Sequence, residues 1–259
     1  MYARIAERSR IAPGAPVAAA VAALFVDENA GDTAGVAIPR PEVHLVARFG
    51  PSARGGLDVH AMGVRERVHR KRLRGGQWSV TARLRLGAAE AVLGARAAAI
   101  AGRVVPLDDL WGELATRRLV NRMGEARTAV DAAAILERAI GERLTAADRG
   151  PAPVILEAAR RLTTASVEAV AAELRVSERH LRRLFHDTVG VSPKTFARLA
   201  RFRRALRAAR RSDRASWASI ATQVGYYDQA HLITDFRRIA GATPPELLDE
   251  LASALAVGC

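Results

Sequence analysis

The chain has one cysteine, Cys259, and it is the last of 259 residues. No intrachain disulfide can form, so a reducing, cytoplasmic setting is expected. Lysine is almost missing too: only Lys71 and Lys194 accompany the arginines, a usage that a GC-rich coding bias also produces. Aromatics reach only 5% against 49% hydrophobic residues, which fits a soluble, alanine-rich globular protein. No apolar run is long enough to span a bilayer, so no membrane partner is expected. Arg4, Arg8 and Arg10 before Ala15–Val26 have the outline of a signal sequence. Against export, Glu7 interrupts the charged part, Pro13, Gly14 and Pro16 crowd the approach, and the run is mostly alanine. The chain also lacks a nucleophile elbow, a phosphate-cradling glycine loop and a metal cluster. His44, His60 and His69 have no close His-x-His spacing and no well-spaced carboxylate beside them. Neither an enzyme nor a metal or cofactor site is expected.

Acid is the other scarcity. The formal charge is +13 and the pI is near 11.3, which favours an anionic partner. From Arg175 to Arg214 thirteen Arg/Lys face only Glu178, Asp187 and Asp213. A second basic run, Arg65 to Arg85, holds eight Arg/Lys against Glu66. That run can be a solvated surface, an effector site or an aid to DNA binding, and charge alone does not choose among them.

The last third carries two patterns of matching internal spacing. In the first, Val167, Val170, Ala171 and Leu174 form one apolar stripe, and Ser177 is placed to cap the next helix. That helix buries Leu181, Leu184 and Phe185 and turns Arg179, Arg182, Arg183 and His186 outward. Arginine there suits guanine O6 and N7 or a phosphate. In the second, Trp217, Ile220, Ala221 and Val224 form the stripe, Gly225 takes a left-handed cap and Asp228 caps the next helix. Leu232, Phe236 and Ile239 face inward, while Gln229, Ala230, Ile233, Thr234 and Arg237 face outward. Gln229 can read adenine, and the methyl groups of Ala230, Ile233 and Thr234 can meet thymine. His180 and His231 are expected to be structural or phosphate-contacting. Between the units, Ser192-Pro193 opens a connecting helix expected to reach about Arg211. Its seven arginines, Arg201 among them, are divided between phosphates, acids and solvent. Two helix-turn-helix units so joined point to a reader of two successive major-groove turns.

These residues resemble the DNA-binding domain of the AraC/XylS family of transcription regulators. The likeness runs from about Ile155 to Leu248 and includes Arg201-Phe-Arg-Arg-Ala-Leu206, Ile220-Ala-Thr-Gln-Val-Gly-Tyr226, Asp228-Gln-Ala-His-Leu232, Phe236-Arg-Arg and Gly241-Ala-Thr-Pro-Pro245. The resemblance implies seven helices in two subdomains bridged by a long helix. It carries the family's base-reading positions onto Arg179, Arg182 and Arg183, then onto Gln229, Ala230, Ile233 and Thr234. The family often has serine then arginine at Ile233-Thr234 and an apolar residue at Asp235. Those departures point to positioning and shape readout by the second unit.

Residues 1 to about 110 read as strands and turns, with strands at Val43–Phe49, Leu57–Val68 and Trp78–Leu86. Helices are expected at Ala88–Leu93, Glu113–Met123 and Ala129–Leu144. Ile38–Gly50, Val80–Gly94 and Val104–Gly112 resemble an uncharacterised N-terminal domain often found ahead of such readers, which implies a sensory or dimerising module. The fold class is therefore α+β. A mixed β-barrel-like domain with helices (1–147) and a linker (148–153) precede an all-α double helix-turn-helix domain (154–259). The function expected is a sequence-specific transcription regulator acting on double-stranded DNA, by recruiting or blocking RNA polymerase. Modulation is expected through a small-molecule effector or homodimerisation of the N-terminal domain. The competing reading is an architectural DNA binder driven by phosphate neutralisation.

Overall fold

The computed structural model describes residues 9–15, 17–144, 153–211 and 216–256. The linker expected at 148–153 falls outside these residues except for Pro153, as does Cys259. The described chain is sheet-rich at its N-terminal side and helical at its C-terminal side, as the strand and helix patterns of the sequence predict.

The N-terminal side begins with β1 (Ser9–Ile11), β2 (Val21–Asn29), β3 (Thr33–Ala37), β4 (His44–Phe49), β5 (Leu57–Met62), β6 (His69–Leu73) and β7 (Gln77–Leu84). Two short helices, α1 (Ala89–Leu93) and α2 (Ala97–Ile100), and strand β8 (Val104–Pro106) follow. Six strands form one antiparallel sheet in the order β1-β2-β7-β4-β5-β8. Strands β3 and β6 pair separately as a two-stranded ribbon, Thr33 opposite Leu73 and Ala37 opposite His69. The alanine-rich stretch with the outline of a signal sequence thus supplies β2, whose Val21, Ala23, Leu24 and Val26 are buried.

The strand expected over Leu57–Val68 ends at Met62, and the reason is a contact distant in sequence. Gly63 runs against the backbone at Ile100, where any Cβ would overlap the Ile100 carbonyl. The chain then turns away, and Arg65 and Arg67 fall in the irregular segment that leads to the ribbon strand β6.

Helices α3 (Asp108–Trp111), α4 (Glu113–Gly124) and α5 (Ala129–Arg143) cover the sheet. A capping box between Thr128 and Asp131 starts α5. Its Ala132, Ala133, Leu136, Ala139 and Ile140 are buried, small residues alternating with large ones against β2 and β7. Trp111 donates its indole N–H to the Val92 carbonyl at 2.9 Å, and the Arg143 guanidinium lies 5.1 Å above its ring.

The C-terminal side comprises α6 (Pro153–Arg161), α7 (Val167–Glu173), α8 (Glu178–Val189), α9 (Pro193–Arg211), α10 (Trp217–Val224), α11 (Gln229–Ala240) and α12 (Pro244–Ala256). Its apolar interior is not divided from the sheet. One continuous core runs from the strands through Ile155, Val170, Leu181 and Phe185 to Phe196. A second core starts at Leu199, three residues further along α9, and holds Phe202, Ile220, Leu232, Phe236 and Leu247. The ribbon side of the N-terminal domain packs against this second core through Val36, Ile38 and Val68.

Candidate nucleic-acid interface

Each helix-turn-helix unit is built by local signals. Ser166 accepts from Ala169 N–H at the start of α7, and Ser177 accepts from His180 N–H at the start of α8, both at 3.1 Å. In the second unit Ser216 accepts from Ser219 N–H at 3.2 Å, and Asp228 from His231 N–H at 2.7 Å. These caps satisfy donors that a helix start leaves unpaired. Ser192 caps α9 in the same way, accepting from Thr195 N–H at 3.1 Å, with Pro193 at the first helical position.

On α8, Leu181 and Phe185 are buried, while Arg179, Arg182, Arg183 and His186 are exposed together on the opposite face. Arg182 is paired with Glu178 one turn back. Arg183 lies 3.4 Å from the His180 ring nitrogen, and His186 lies 3.6 Å from Asp187. On α11, Leu232, Phe236 and Ile239 are buried, and Gln229, Ala230, Thr234 and Arg237 are exposed. Ile233 is half-buried, and the Thr234 hydroxyl donates to the Ala230 carbonyl at 2.9 Å. Asp235, where an apolar residue is the family habit, is buried beside the Tyr226 phenol. Burial, and then the nearby carboxylate, push that phenol's pKa up.

Arg201 lies apart from both reading faces. It is half-buried between the two units, its guanidinium 5.4 Å over the Tyr226 ring, lining a cleft of about 330 Å³. Several other connector arginines are committed inside the chain. Arg198 pairs with Glu66 at 3.2 Å and Arg203 with Glu42 at 3.8 Å. Burial lowers the Arg203 pKa to about 10, with Glu42 opposing. Arg204 donates from one nitrogen to the carbonyls of Thr163 and Val224, both at 2.6 Å. It thereby ties the chain just after α6 and the last residue of α10 to the connector. The sequence gives Arg204 no separate role, because its acceptors are backbone atoms brought near only by the fold.

The N-terminal domain grips both reading helices at their C-terminal ends. Helix α2 packs on α8, Arg96 lies 3.9 Å from Asp187, and a Cβ on Gly190 would stand 2.9 Å from the Ala97 carbonyl. At α11, Val68 N–H donates to the Ile239 carbonyl at 2.8 Å. Arg70 reaches the Ala240 carbonyl at 3.0 Å and Glu250 at 2.5 Å. The N-terminal turns, which carry Arg179 and Gln229, stay exposed.

Of the three N-terminal histidines, His60 is held by an acidic neighbour. His60 lies 2.9 Å from Asp58, which also pairs with Arg48 at 2.6 Å. Among the described residues no group of three or more His, Cys, Asp or Glu is placed to hold a metal. No helix among them is long and apolar enough to cross a membrane.

Two capped reading helices on one long connector, each with its polar face open, define a DNA-binding protein of the double helix-turn-helix class. Residues 170–250 match the model of a family described as a helix-turn-helix domain, and this third of the chain is an AraC-type domain of DNA-binding transcription regulators. No characterised protein sequence matches the chain. Among solved structures, it is similar to the C-terminal domain of AraT, a response regulator from Geobacillus stearothermophilus. That likeness covers 38% of this chain and 86% of that one, at 23% identity and a TM-score of 0.36. It is similar to ToxT from Vibrio cholerae over 88% of this chain and 96% of that one, at 12% identity and a TM-score of 0.41. Against ToxT from the same organism bound to an unsaturated fatty acid the figures are 87%, 93%, 10% and 0.40.

Proposed function

We propose that the protein is a sequence-specific transcription regulator that sets α8 and α11 into successive major-groove turns of one site. The observation that carries this reading is the connector. Its 19 residues, at about 1.5 Å each, separate the two units by on the order of 28 Å. Successive groove turns on one face of B-DNA lie about 34 Å apart. The two reading faces differ in chemistry, arginine on α8 against Gln229, Ala230 and Thr234 on α11, so the site need not be palindromic. Guanine or phosphate suits the first and A·T pairs suit the second.

Modulation belongs to the same reading. A cleft of about 1080 Å³ opens where the sheet meets the connector, between Arg83 and Glu42 on one side and Arg203 and Arg207 on the other. Its walls include Leu84, Leu86, Leu156 and Phe196. Guanidinium groups over an apolar floor suit a small acidic effector, which would act on the fit between the domain and the connector.

Selection of bound DNA from a random pool tests the regulator reading. The expected result is two boxes about one helical turn apart, bound at least about a thousandfold tighter than scrambled DNA. No motif, with equal affinities and one steep salt slope, would favour the architectural reading instead.

A further inference from the structure

The two helix-turn-helix turns differ by one residue, and that residue is the most exposed large hydrophobic side chain described. In the first turn Arg175 is left-handed (φ 55°) and Val176 N–H donates to the Ala171 carbonyl at 3.0 Å. In the second Gly225 is left-handed (φ 87°) and Tyr226 N–H donates to the Ala221 carbonyl at 2.9 Å. The same bond, spanning five residues, closes both turns. The first then reaches its cap, Ser177, at once, whereas the second inserts Tyr227 before Asp228.

The frame around this insertion is fixed. Tyr226 is turned inward, edge-on to the His231 ring at 5.3 Å and beneath Arg201. Asp228 holds the first turn of α11. Tyr227, between them, is 91% exposed. It adds nothing to either core, and a small polar residue would fill such a turn without presenting an aromatic ring to water.

Its position gives the ring a use. It stands two residues before Gln229, at the end of α11 that leads into the groove, where a duplex presents its phosphate rim. A guanidinium at this point would fold back onto the adjacent Asp228 carboxylate. A neutral phenol does not, and it leaves a hydroxyl donor free for an acceptor outside the chain.

We propose that Tyr227 is a DNA-backbone contact. Its hydroxyl donates to a phosphate oxygen on the rim of the groove that α11 enters, and its ring lies against the neighbouring deoxyribose. The assignment rests on the DNA-binding reading above, but not on base specificity, because a phosphate carries no sequence information.

The test compares the full-length chain with Tyr227→Phe and Tyr227→Ala on both selected and random duplexes. Loss of one hydrogen bond to an anionic phosphate at the solvent-exposed rim predicts about tenfold weaker binding by Tyr227→Phe, equal on the two DNAs. The salt slope should not change, since no cation is removed. Tyr227→Ala should bind more weakly still, and both variants should melt with the wild type. Replacing single phosphates by neutral methylphosphonates should reveal one position that weakens the wild type but not Tyr227→Phe. Wild-type affinity of Tyr227→Phe, or a loss confined to the selected site, would overturn the contact. Absence of any selected site would count against the regulator reading alone, because the Tyr227→Phe effect is still measurable on random DNA.

Discussion

Replacing Arg204 by alanine should loosen the spacing between the two readers more than it weakens either one. Arg204 bonds two carbonyls, Thr163 on the first unit and Val224 on the second, both at 2.6 Å. A hydrogen bond from a charged donor contributes about 1.5–3 kcal/mol net, so the pair sets an upper bound of about 6 kcal/mol. Two effects reduce it. Burial, with repulsion from Arg201 and Arg207, already lowers the Arg204 pKa. The released carbonyls also border the cleft of about 330 Å³, where water can replace the guanidinium. A net loss of about 2–3 kcal/mol is the expectation, or a fall in Tm of roughly 4–10 °C for a chain of this size. The decisive assay is affinity for duplexes whose two boxes are moved one base pair either side of the selected spacing. The wild type should favour one spacing sharply, and Arg204→Ala should lose that preference while binding each isolated box as before. A variant that melts with the wild type and keeps the same spacing preference would refute the staple.

Arg183→Ala should weaken binding to the selected site by about tenfold or more, against little change on random DNA; equal losses on both would show that Arg183 holds phosphate. Gly190→Ala should destabilise the chain by about 2–3 kcal/mol, read by denaturation, because the left-handed turn alone costs about 1–2 kcal/mol and the new Cβ presses on Ala97. A neutral effect would mean that the contact between α2 and α8 yields freely. Glu157 is held down to about 2 by hydrogen bonds from Arg160 and then Arg161. Its pKa is depressed on folding, so its contribution is present above about pH 4.5 and is lost as pH falls towards 2. Glu157→Gln should therefore flatten that part of the acid-stability curve and leave the curve's shape above pH 5 unchanged; an unaltered acid limb would count against the pairing.

What the sequence displays well is what depends on neighbours in the chain. Ser177, Ser192 and Asp228 cap helices because the donors they satisfy lie three residues away, and the buried stripes follow helical period. Contacts between distant residues are where the sequence falls short. Gly63, next to Met62, is the local mark of the end of β5, but the backbone it meets, at Ile100, lies far along the chain. The fates of Arg198 and Arg203 are set by Glu66 and Glu42, more than a hundred residues earlier in the chain. The basic run at Arg65–Arg85 contains two different things: the ribbon strand β6, and Arg83 on a buried central strand. Composition averages them into one patch. Tyr227 lies in a turn, outside the helical period that marks outward-facing positions, and stands out only as the extra residue of one turn against the other.

The division of the apolar interior partway along α9 has a consequence for how such a protein can change its targets. The first reader shares its core with the sheet, so exchanging it means rebuilding the packing of a whole domain. The second reader has a core of its own and meets the rest of the molecule through the connector, the ribbon and a few hydrogen bonds. It can be exchanged as a cassette if Leu199, Phe202 and the seats of Val36, Ile38 and Val68 are kept. Replacement of a whole helix-turn-helix unit is therefore tolerated more readily at the second unit than at the first, whose exchange would disturb the packing of the sheet.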